Sequence, residues 1–259
     1  MKPIFRTLLL CLLPLSVLHA QEPAAPAKEK RPYEIAFSNL PEEKRLEYTK
    51  KLMEARRMFA DKRIFETIDK ANEAKAIFPD DPELLTLIGS CQVEFRDFDK
   101  AMAAFKKASD LMPERVETYF NIAELSFVTK NWAEAETNLT KVLKLIERQP
   151  SGTEKSDRAS LLINRLSEFK LLLVKLKLNK AAEAASMAKK YDYLDDSPYP
   201  YYAQAAILFS QGKEVEAENL MARGSRIFQD PNLLSPWQDT MVEFGYVKGF
   251  FGGDEAAAP

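Results

Sequence analysis

The sequence predicts an all-α protein, an α-solenoid of about five stacked helical hairpins with a C-terminal capping helix. Three observations predict it. Segments 64–79 (IFETIDKANEAKAIFP), 98–113 (FDKAMAAFKKASDLMP) and 132–147 (WAEAETNLTKVLKLIE) repeat at a spacing of 34 residues and can be laid over one another without a gap. Within a segment the apolar positions follow helical spacing: Ala101, Phe105 and Ala108 stand at i, i+4 and i+7, on one face. Pro79 and Pro113 close the first two segments, where a helix must stop because proline cannot continue its hydrogen bonding. A fixed period of this length marks helix pairs that bury their apolar faces only by stacking on their neighbours. Such arrays bind other molecules far more often than they transform them.

Taken in order, residues 1–20 read as a secretory signal peptide. Lys2 and Arg6 supply the positive start, Leu8 to Leu18 the apolar stretch, and Ala20 a small residue before Gln21. The expected location is periplasmic or secreted, with cleavage near Ala20–Gln21. The apolar stretch is too short for an ordinary membrane span. Residues 21–40 are rich in Ala, Pro and charge and are expected to be a flexible lead-in. Residues 41–149 hold three hairpins. Ile64, Phe98 and Trp132 open their second helices, and Ala55, Gly89 and Ala123 keep the same period upstream. Gly89 inside a helix costs about 1 kcal/mol relative to alanine, which a close helix crossing would explain. Residues 150–157 (PSGTEKSD) combine Pro, Gly and Ser and read as a linker. Residues 158–231 hold two weaker hairpins. They open with a long apolar helix interrupted by Arg165, Glu168, Lys170, Lys175 and Lys177, which makes it amphipathic and not a membrane span. Residues 232–250 form the capping helix, with Trp237, Met241 and Phe244 at i, i+4 and i+7, to cover the last exposed face of the array. Residues 251–259 are expected to be a disordered tail.

Composition removes many functions. The one histidine, His19, lies in the leader, so the remainder can hold neither a Ser–His–Asp triad nor a His-ligated metal. Beyond the leader Cys91 is the lone cysteine, which excludes an intramolecular disulfide and a paired-cysteine redox motif. The formal net charge of −2 becomes more negative once Lys2 and Arg6 leave with the leader, which argues against a nucleic-acid partner. No glycine-rich phosphate loop occurs, and spacing singles out no carboxylate pair. No catalytic residue, cofactor or metal is therefore expected, and the chain is read as not an enzyme.

The pattern resembles the tetratricopeptide repeat family. The match is best over 82–149, where Gly89, Ala101, Phe105, Ala108 and Pro113 stand at the family's signature positions. The unit at 48–81 departs from it at Ala71, where a large aromatic is usual. Weaker units follow at about 165–198 (Leu171, Ala184, Ala188) and 198–231 (Tyr201, Ala205, Gly212, Ala217). The resemblance implies a superhelix whose first helices line the concave side. The candidate peptide-binding groove is then Leu52, Arg56, Phe59, Val93, Phe120, Glu124, Phe127, Phe169, Tyr202 and Phe209. This lining is apolar and aromatic, as suits an amphipathic or extended hydrophobic segment. The alternative is that the chain fills the groove itself. The carboxylate clamp of some family members is not expected, because Leu52, Ser90 and Glu117 occupy the comparable places and only Arg56 and Asn121 keep some of that chemistry.

The functional expectation is an exported interaction scaffold or chaperone-like adaptor. It would bind a peptide or helix of another protein, one of the cell envelope, on the concave face. The competing expectation is a self-assembling structural component, a homo-oligomer joined through the aromatic end at 246–251.

Overall fold

The computed structural model describes residues 30–148 and 154–248; the expected leader, most of the lead-in and the expected tail lie outside the described residues. Five helical hairpins follow one another. They are α2 (Glu42–Ala60) with α3 (Ile64–Ile77), α4 (Pro82–Glu94) with α5 (Phe98–Leu111), and α6 (Val116–Val128) with α7 (Trp132–Glu147). Then come α8 (Glu154–Lys177) with α9 (Ala181–Ala188) and α10 (Tyr199–Ser210) with α11 (Glu214–Ile227). A short α1 (Pro32–Ser38) precedes them and α12 (Pro231–Phe244) follows. Among the described residues there is no strand, and no helix is long and apolar enough to cross a membrane.

One turn, used five times, closes the hairpins. At the end of α2 the Lys62 amide donates to the Phe59 carbonyl (3.0 Å) and the Arg63 amide to the Met58 carbonyl (2.9 Å). These paired bonds cap the carbonyls that a helix end leaves free, and they place the residue after the helix in the left-handed region. Lys62 (φ 60°), Arg96 (59°), Lys130 (61°), Asn179 (58°) and Gly212 (74°) take that position in the five units. Side chains cap several helix starts. Asp81 accepts from the amides of Glu83 (2.7 Å) and Leu84 (3.0 Å), and Asp97 accepts from that of Lys100 (3.3 Å). Such caps stabilise a helix by about 1 kcal/mol each.

Successive first helices pack on one another, α2 on α4, α4 on α6, α6 on α8 and α8 on α10. They therefore take the inner, tighter side of the curve, and the second helices lie outside. Small residues allow these approaches: Ala55, Ala74, Ala101, Ala108, Ala123 and Ala135 have no exposed surface. At Gly89 the close neighbour is a side chain rather than a helix backbone, since a Cβ there would stand 2.5 Å from Cε1 of Phe105. The phenyl ring occupies the space that the missing side chain leaves, and it is 1% exposed.

Four features differ from the sequence expectations. Residues 32–38 of the lead-in form α1, whose Phe37 ring lies 5.3 Å from that of Tyr48 and 5.2 Å from that of Phe78. Tyr33 and Phe37 make a one-turn apolar stripe that the surrounding Ala, Pro and charge conceal. The linker at 150–157 is shorter than its composition suggests, because α8 already begins at Glu154. Two charges of α8 are not on a solvated face: Glu168 is 3% and Lys170 2% exposed. Glu168 is held by Lys190 and by the Tyr191 hydroxyl (3.1 Å). Beside it Arg165 stacks on the Tyr191 ring (3.5 Å to its centroid) and donates two hydrogen bonds to Asp195 (2.9 and 3.0 Å). This network ties α8 to the segment between α9 and α10. Finally, α12 is the last helix among the described residues, but it covers an inner face rather than the free end of α11.

Candidate functional site

The inner face divides into a covered half and an open half. Over the last three units α12 lies across the first helices. Its Trp237 ring stands 5.3 Å from Phe169 of α8 and 6.0 Å from Tyr202 of α10. Its Phe244 reaches back to α6 and α7, at 6.1 Å from Phe127 and 5.9 Å from Trp132. Just beyond the helix, Tyr246 stacks on Phe209 with centroids 5.0 Å apart. The stripe of Trp237, Met241 and Phe244 that the sequence displays is therefore buried in the array's own groove.

Between the halves lies a charged seam. Lys170 of α8 is buried, 3.0 Å from Glu124 of α6 and 3.3 Å from Glu243 of α12, with its ammonium 4.6 Å from the centroid of the Phe127 ring. Burial pushes the Glu124 carboxyl above the ordinary carboxylate value, because desolvation of the anion outweighs the attraction of Lys170, and Glu243 adds repulsion. One cation thus serves two carboxylates.

On the other side of this seam a cavity of about 290 Å³ opens on the inner face. Phe59 comes from α2, and Ser90, Val93 and Glu94 come from α4. Asn121, Glu124, Leu125 and Val128 come from α6, Phe98 and Phe105 from α5, and Glu243 from α12. Val93 is 37% and Val128 39% exposed, so apolar side chains face solvent here. Three units and α12 contribute; Phe59 and Val93 stand one 34-residue period apart, and Val128 lies one residue past the next such position, whose Phe127 is buried.

Of the groove residues expected from the sequence, Phe59, Val93 and Glu124 line this cavity. Arg56 is exposed and ion-paired to Glu83. Phe120 is half-buried against the core of the second and third units. Leu52, Phe127, Phe169, Tyr202 and Phe209 are buried, the last three beneath α12 and its extension, and they present little or no surface to a partner. The physical reason is the same throughout: helix periodicity identifies the inward face but not what already covers it. Lys170 and Glu243 were missed as site residues. A lone lysine between Phe169 and Leu171 is the signal for the first; Glu243 becomes part of the site only through the path of α12.

Among the described residues no group of His, Cys, Asp or Glu is arranged to hold a metal. Burial pushes the Cys91 thiol up to about 11, away from the reactive thiolate.

No family model and no curated relative matches the chain. Solved structures do. PilF of Pseudomonas aeruginosa is similar with a TM-score of 0.53 at 13% identity, over 78% of this chain and 97% of that one. Acl4, the assembly chaperone of RpL4, is similar with a TM-score of 0.52 at 14% identity, over 77% of this chain and 85% of that one. With the 34-residue period and the repeated turn, these likenesses show the fold: the chain is an all-α solenoid of the tetratricopeptide repeat type.

Proposed function

We propose that this chain is a non-enzymatic interaction scaffold that holds a segment of another protein against the inner face of its first three units. The observation that carries the reading is the open cavity: an apolar mouth on the concave side of a repeat array, lined from three successive units, is the geometry by which such arrays take a partner. The covered half does not compete for this role, since α12 already fills it. Acl4, which shares the fold, is an assembly chaperone, and a holder of protein segments is the same broad class. The leader-like residues 1–20 support export, and hence a partner in the cell envelope.

A photo-cross-linking residue at position 93, in the full chain, tests the reading against one at position 137 on the outer helix α7. In an envelope extract the expected result is a defined adduct from position 93, absent from position 137 and lost when Phe59 is changed to Asp. An adduct that forms equally from both positions, or that survives Phe59→Asp, overturns it.

A further inference from the structure

We propose that the segment taken by the open cavity carries a lysine or arginine beside a bulky apolar residue; this rests on the groove reading above. The lining contains three carboxylates, Glu94, Glu124 and Glu243, and no lysine or arginine. Lys170 lies behind it, 2% exposed and shared between Glu124 and Glu243. Glu94 is exposed and makes no ion pair among the described residues. The mouth is therefore short of positive charge, and an incoming cation meets carboxylates contributed by α4, α6 and α12.

Charge alone would attract only hydrated ions. The same mouth, however, has apolar walls, with Val93 and Val128 exposed and Phe59 and Phe98 beside them. A wall of this kind gains from covering by an aliphatic or aromatic side chain and gives nothing to a hydrated ion. Both features are met by a cationic side chain whose neighbour is apolar. At about 290 Å³ the cavity sits at the lower edge of the size of small-molecule pockets, about 300–1,000 Å³, and suits one or two side chains of an extended segment rather than a whole helix. The covered half leaves no room for a helix to continue along the groove, because α12 lies there.

The test is selection of twelve-residue random peptides displayed on phage against the immobilised full chain. Parallel selections use the Glu94→Gln/Glu243→Gln variant and the Val93→Asp variant. Peptides enriched by the unmodified chain are expected to carry Lys or Arg next to Leu, Ile, Phe or Met. They should bind the double variant about tenfold more weakly and should weaken as salt is raised. Enriched peptides that are neutral or acidic, or that bind the double variant equally well, overturn the proposal. If such peptides still lose binding to Val93→Asp, the groove reading survives without the charge preference. If binding ignores Val93→Asp as well, both fall. No enrichment at all also overturns the proposal, since a linear segment is its ligand.

Discussion

Phe105 and Gly89 are one packing unit made from two helices. The ring stands where a Cβ at position 89 would be, so the two positions should respond to mutation together. Phe105→Ala is expected to lower stability by about 3–5 kcal/mol, as for other buried phenylalanines. Gly89→Ala overpacks the same site and should cost about 1–3 kcal/mol. In a Phe105→Leu background the Gly89→Ala cost should shrink, a coupling that urea unfolding of the single and double variants would measure. At Glu124 the expected effect depends on pH. Its folded-state pKa is raised above the ordinary 4.5, so the folded chain holds this proton more tightly than the unfolded one. The contribution is fully present below the unfolded value and is lost as pH rises through the folded value. Glu124→Gln removes the titration, so the variant should gain on the unmodified chain as pH rises above the ordinary carboxylate value of 4.5 in thermal melts. A constant difference across that range would contradict the assignment.

The hairpin turn is the recurring element, and only one of its five left-handed positions is a glycine. Gly212 has open space around its Cα, so Gly212→Ala tests backbone strain alone. The expected loss is about 1–2 kcal/mol, the cost of an L-residue in the left-handed region, read from the shift in the unfolding midpoint. Three of the other four turns explain why this element was not legible in the sequence. Lys62, Arg96 and Lys130 adopt positive φ because the flanking helices fix the turn, and their side chains do not announce it, whereas Asn179 is a residue type that tolerates this region. The period itself was plain, because Ala101, Phe105 and Ala108 set the helix face and Pro113 its end. The element least legible was α12. Its stripe of Trp237, Met241 and Phe244 required burial, but nothing local says against what; the partners Phe127, Phe169 and Tyr202 lie far back in the chain. For the same reason half of the expected groove was in truth core, while Phe59, Val93 and Glu124 remained open.

At the scale of the whole molecule, α12 makes the last three units interdependent. Trp237 is 2% exposed, and Trp237→Ala is expected to cost about 3–5 kcal/mol. Its effect should not stay local. In hydrogen exchange, amides of α8 and α10 should lose protection together, whereas those of α2 and α4 should not. A loss confined to α12 would show that this helix rests on the array without bracing it.

That bracing has a mechanical consequence. A repeat array bends by summing small rotations between neighbours. By touching α6, α8 and α10 at once, α12 acts as a splint across the joints between the last three units, while α1 ties the first two, with its Phe37 ring against Tyr48 and Phe78 and its Tyr33 hydroxyl 3.8 Å from the Met112 sulfur. Curvature change is then concentrated at the joint between the second and third units, beside the open cavity. Pulling on the N-terminal units and widening the cavity become the same movement, so that tension along the chain would act directly on the grip around a bound segment.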